Sequence, residues 1–105
     1  MTVKTAVEIG TRLLPTARKW VRRSASTLDE EIQQTVAACM LDMKNAGIVN
    51  IDSEDPLIQQ AAKLYLKAHF GYDDTPEKWE QAYERLKASL SLNSEYTREK
   101  VASNG

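Results

Sequence analysis

The apolar positions of this chain fall at helical spacing, and they are densest in DPLIQQAAKLYLKAHF, Asp55 to Phe70. Leu57, Ile58, Ala61, Ala62, Leu64, Tyr65, Leu66, Ala68, His69 and Phe70 cover more than half of a helical circumference. Gln59, Gln60, Lys63 and Lys67, linked by i, i+4 spacing, form a narrow polar strip. A helix apolar over most of its surface has to be wrapped by others, so this one is predicted to be the central helix of a small bundle. Asp55 suits the N-cap and Pro56 the first helical position. Gly71 is expected to stop the helix and Tyr72-Asp73-Asp74 to turn the chain.

The same pattern gives the neighbouring elements. Residues 1–12 have a weak apolar rhythm at Val3, Ala6, Val7 and Gly10, and read as a loosely attached arm in which a short helix can form. Pro15 suits a helix's first turn, and Ala17, Trp20 and Val21 share a face, so a short helix is expected over Pro15 to Arg22. Ser24, Ala25 and Ser26 break it. Thr27-Leu28-Asp29-Glu30 has the form of a capping box, and its acids suit the positive end of the helix dipole. The helix it opens carries one apolar stripe, Leu28, Ile32, Val36, Cys39, Met40 and Met43, and runs to about Asn45. Gly47 ends it as a left-handed residue would. Ile48, Val49 and Ile51 in the linker that follows are expected to dock on the bundle. Thr75 and Pro76 open a last helix with Trp79, Ala82, Tyr83, Leu86 and Leu90 on its buried face, ending at Leu92. Periodicity is lost from Asn93 to Gly105, which reads as a polar, flexible tail. The class expected is all-α: a small helical bundle of about four helices with a flexible C-terminal tail.

With 105 residues the chain has room for one domain, and burying surface in an oligomer would help a core of this size. The net charge of −1 argues against a dedicated nucleic-acid coat. Cys39 is the single cysteine, which excludes an intrachain disulfide and fits a reducing cytosol. The first ten residues lack the apolar run of a signal peptide, and no segment approaches the roughly 18 apolar residues of a membrane helix.

Candidate chemistry is sparse. His69 stands alone, without cysteines or paired carboxylates, and a packing or hydrogen-bonding role outweighs metal or acid–base work. Cys39 lies on the apolar stripe and reads as a small core hydrophobe rather than a nucleophile. Asp52, Glu54, Asp55, Asp73 and Asp74 lack calcium-loop spacing and its glycine, so they read as loop and cap carboxylates. No Gly-rich phosphate loop, GxSxG or HExxH occurs, and no catalytic, cofactor or metal residue is assigned. Charge asymmetry is the stronger feature. Residues 1–23 hold Lys4, Arg12, Arg18, Lys19, Arg22 and Arg23 against a single acid, Glu8. The block can meet DNA phosphates, or it can pair with Asp29, Glu30 and Glu31 of its own or a neighbouring chain. Trp20 beside these cations is either core or an interface anchor.

In order and spacing these elements resemble a known family. Leu28-Asp29-Glu30-Glu31-Ile32, Ala46-Gly47-Ile48, Ala62-Lys63-Leu64-Tyr65 and His69-Phe70-Gly71-Tyr72, continued by Tyr83, Leu86 and Leu90, are similar to the head–tail connector (adaptor) proteins of long-tailed bacteriophages, also called DNA-packaging proteins. The resemblance spans about Leu13 to Tyr96, and the first dozen residues depart from it as an added arm. It implies a connector domain over 13–92 and a structural, non-enzymatic subunit of a homo-oligomeric ring. Such a ring sits under the portal in the virion and extends the DNA channel without sequence-specific binding. It offers a surface to the next head-completion or tail-completion protein. The subunit would be made in the host cytoplasm and would need no membrane. Interface residues expected on this reading are Arg18, Lys19, Trp20, Arg22, Arg23, Asp29, Glu30 and Glu31, with Tyr96 and Val101 as anchors in the tail. The alternative is a small helical nucleic-acid-binding or regulatory module using the basic 12–23 segment. Against it, the helix after the basic block opens with three acids, where a recognition helix would meet DNA.

Overall fold

The computed structural model describes residues 1–21, 28–70 and 75–98. Four helices and a final single turn follow one another: α1 (Val3–Trp20), α2 (Asp29–Asn45), α3 (Pro56–His69), α4 (Pro76–Ser91) and α5 (Ser94–Thr97). No strand occurs among the described residues, and the protein is an all-α bundle. It is built from two helical hairpins. In the first, Arg18 at the end of α1 meets Asp29 at the start of α2 and Gly10 meets Gln33 farther along, so α1 and α2 run antiparallel. In the second, Lys67 lies over Trp79 and Tyr65 meets Tyr83, which makes α3 and α4 antiparallel as well. Packing of α2 on α3 joins the hairpins, and α3 also touches α1.

The N-terminal expectation needs correction. Residues 3–12, read as a loose arm, are the first half of α1, and Ala6, Ile9 and Gly10 are buried there. The helix starts at Val3, where the Thr2 side chain accepts from the Thr5 N–H at 3.1 Å. Pro15 therefore lies inside a helix rather than at its first turn. An interior proline costs about 3 kcal/mol in a helix. It is tolerated because Pro15 and Thr11 are on the exposed side, where water can reach the carbonyl that lost its donor. Ala6, Ile9, Leu13 and Ala17 hold the helix down on both sides of the interruption.

α2 follows its predicted stripe. Ile32, Val36, Cys39, Met40 and Met43 are fully buried, and Leu28 packs at the edge. Leu28 occupies the N-cap and makes no side-chain cap bond. Thr27, the expected capping residue, lies outside the described residues, as do Arg22 to Ser26. The C-terminus closes with both bonds of a Schellman motif: the Ile48 N–H donates to Met43 O at 3.1 Å and the Gly47 N–H to Lys44 O at 2.9 Å. Gly47 has φ 95°, the left-handed conformation that the motif requires. The motif turns Ile48 into the core, where it is fully buried. Ile51 packs beside it, but Val49 is exposed.

α3 is capped by Asp55, whose carboxylate accepts from the Leu57 N–H at 2.8 Å, with Pro56 in the first turn. Ile58, Ala61, Ala62, Leu64 and Leu66 are buried. Gly71 to Asp74 lie outside the described residues. In α4, Tyr83 and Leu90 are buried, and Trp79, Ala82 and Leu86 pack at the rim.

The start of the C-terminal segment is also corrected. Asn93 to Arg98, read as part of a polar tail, are folded against the α2–α3 connection. Asn93 caps α5 by accepting from the Glu95 N–H at 2.8 Å. The Tyr96 carbonyl accepts from the Val49 N–H at 2.7 Å and the Asn50 N–H at 3.1 Å. The Asn50 side chain donates to Glu95 O and Arg98 O, and the Tyr96 hydroxyl donates to Asp55 at 2.9 Å. The sequence pattern missed this clasp because hydrogen bonds to backbone carbonyls leave no apolar rhythm.

Candidate functional site

The basic block separates into distinct environments. Arg18, in the last turn of α1, donates through Nε to Asp29 Oδ1 at 2.8 Å and through its terminal nitrogen to Oδ2. This bidentate fork ties the end of α1 to the start of α2. The hydrogen bonds hold the Asp29 carboxyl below its ordinary pKa and raise that of Arg18. Arg18 and Asp29 thus pair within the chain. Trp20 is half-buried against the core, whereas Lys19, Glu30 and Glu31 are exposed or at the rim. Lys4, Arg12 and Lys19 make no ion pair among the described residues. Arg22, Arg23 and Val101 lie outside them. Tyr96 is held by Asp55 in the clasp.

A polar cluster unforeseen in the sequence joins α2 to α4. The Tyr83 hydroxyl donates to Asp42 Oδ2 at 2.6 Å, Lys87 Nζ donates to the same oxygen at 2.8 Å, and Cys39 Sγ lies 3.8 Å from the Tyr83 oxygen. Desolvation pushes the Asp42 carboxyl upward, but the bonds from Lys87 and Tyr83 and the Lys87 charge outweigh it, and the net shift is downward. Burial pushes the Cys39 thiol up to about 12, only partly opposed by Tyr83. A thiol so held is unreactive, in keeping with its place on the apolar stripe. Tyr83 is raised too, first by burial. The cluster is a structural clamp between helices.

His69 is exposed on α3. Its Nδ1 donates to the Tyr65 carbonyl at 2.8 Å, since a carbonyl can only accept, and its ring stacks on Tyr65 with centroids 4.1 Å apart. Glu31, Thr35 and Ala38 of α2, Tyr65 and His69 of α3 and its C-cap Phe70 flank an open groove of about 370 Å³. A larger groove of about 620 Å³ lies between the α2–α3 connection and the clasp, walled by Val49, Asp52, Asp55, Leu57, Glu95 and Tyr96. Its rim is acidic and its walls include two exposed apolar side chains. Among the described residues no group of three or more His, Cys, Asp or Glu side chains is arranged to hold a metal ion. No described helix is long and apolar enough to cross a membrane.

The described residues form a small all-α bundle whose surface carries charged and apolar grooves and whose Asp42–Tyr83–Lys87 cluster holds two helices together. The particular family follows from the sequence. The phage connector protein family matches residues 13–97, most of the chain, and the protein belongs to that family. No curated protein and no solved structure matches the chain. Membership makes it a structural protein of the phage head–tail connection and a virion component. The match starts at Leu13, so the first half of α1 precedes it.

Proposed function

We propose that the protein is the subunit of a closed homo-oligomeric ring that docks on the phage portal. The ring continues the DNA channel and presents a surface to the next head-completion or tail-completion protein. The observation that carries this reading is the connector-family match from the middle of α1 to the end of α5. A ring needs two different surfaces on each copy. Lys4, Arg12 and Lys19 of α1, without an ion pair among the described residues, and the acidic rim of the larger groove support the presence of two such surfaces. DNA passes without sequence-specific grip on this reading. The pairing of Arg18 with Asp29 supports that, because it occupies a cation otherwise available to phosphates.

The test is co-sedimentation of the full chain with the portal assembly of the same phage, beside a duplex-DNA titration at physiological salt. The expected outcome is stoichiometric binding to the portal and only weak, salt-sensitive binding to DNA. Submicromolar DNA binding together with no portal binding would replace this reading with a nucleic-acid-binding module.

A further inference from the structure

Among the described residues five large apolar side chains are exposed, and four of them fall in two places. Val3 and Val7, 65% and 45% exposed, lie one helical turn apart on the outer side of α1. Val49 and Leu57, 43% and 44% exposed, line the larger groove, and Leu92, 88% exposed, precedes Asn93 in its wall. The groove's edge is acidic, whereas the start of α1 carries Lys4 and Glu8 and α1 as a whole is net cationic. Lys4 sits between the α1 valines, with Arg12 and Lys19 farther along the helix, and none of the three has an ion pair among the described residues. The groove is edged by Asp52, Asp55 and Glu95, with Glu54 close by, and no cation pairs with any of these four among the described residues.

We propose that the groove between the α2–α3 connection and the C-terminal clasp is the socket for the first two turns of α1 from a second copy of this chain. Val3 and Val7 of one copy cover Val49 and Leu57 of the next, and Lys4 meets the acidic rim. Burying apolar side chains on both copies at once removes both exposed patches from water. Two acidic grooves brought together would repel, whereas Lys4 of α1 meets their rim favourably, so the groove faces α1 rather than its own counterpart. The contact is heterologous, one surface against a different one, and so can be repeated around a ring. The clasp has a role in it, because α5 supplies the groove's far wall through Glu95 and Tyr96. The socket rests on the ring reading above and names the surfaces that would carry it.

Two double variants of the full chain test it: Val3→Asp with Val7→Asp, and Val49→Asp with Leu57→Asp. All four positions are exposed, and circular dichroism checks that helicity is kept. Sedimentation velocity of the wild type is expected to show association that grows with concentration. Each double variant alone stays monomeric. An equimolar mixture of the two stops at a one-to-one complex, since each retains a single intact surface. Lys4→Glu alone and Glu95→Lys alone each weaken wild-type association about tenfold. The chain carrying both associates more tightly than either, which keeps the test decisive should a double variant fail to fold. If either double variant associates like the wild type, or their mixture stays monomeric, the socket is wrong while the ring reading stands. A wild type that never associates, alone or with portal, overturns both.

Discussion

Asp42 is where the physics of single residues is most concentrated. It accepts from Tyr83 and Lys87 at once, and its carboxyl is held below its ordinary value. A depressed folded-state pKa contributes stability that is fully present above the unfolded value, about 4. That stability is lost as pH falls through the lower folded value. The melting temperature is therefore expected to drop on acidification below about pH 4, and Asp42→Asn should make the drop shallower. Thermal melts by circular dichroism across that range check this; an unchanged slope would mean that Asp42 is not stabilised by its partners. Legibility at this scale was uneven. The burial of Cys39 followed from its place on a stripe with Ile32, Val36 and Met43. The partners of Asp42 did not, because Tyr83 is 41 positions away and helical periodicity carries no information between helices. Arg18 with Asp29 was among the pairings open from the sequence, since the block of cations and the acids of the next helix lie close along the chain.

Elements with strong caps and stripes were the readable ones. α2, α3 and α4 start and stop within a residue or two of where capping residues, prolines and glycine placed them. α1 was misread because Pro15 is a strong local signal for a helix start, and packing of Ala6, Ile9 and Leu13 overrode it. Gly10 sits where the backbone of α1 packs close against that of α2. A Cβ there would stand 2.5 Å from the Gln33 carbonyl oxygen, a backbone atom that cannot swing aside. Gly10→Ala is helped by about 1 kcal/mol of helix propensity. It is opposed by about 1–3 kcal/mol of overpacking. The net expectation is destabilisation, read as a lower melting temperature; a stabilised variant would show that the hairpin opens freely. The clasp makes a second prediction at this scale. Removing residues 99–105 should leave the melting temperature unchanged. Removing 93–105 strips the bonds to Val49, Asn50 and Asp55 and should lower it by several degrees, about 4–8 °C for each 1 kcal/mol lost. Equal melting of both truncations and the full chain would mean the clasp adds nothing to stability.

The whole molecule is two hairpins bound through α2 and α3, with extents of 45 × 26 × 20 Å. The family was legible from the order and spacing of fold motifs traced from Leu13 to Tyr96, and the connector family matches residues 13–97. What these motifs specify is how the hairpins fold; the surfaces that meet other molecules were harder to read. Both grooves arise from residues far apart in sequence, and the larger one exists only because α5 folds back onto the α2–α3 connection. Polar and apolar surface positions outside a stripe look alike in a single sequence, so neither groove had a signature there. On the function proposed above, copies of this bundle close into a ring on the portal. Negative-stain electron microscopy of the full chain, concentrated alone and mixed with portal from the same phage, tests it most directly. Closed rings of uniform diameter, coaxial with the portal in the mixture, are the predicted result. Particles that stay monomeric at every concentration and leave the portal bare would contradict it.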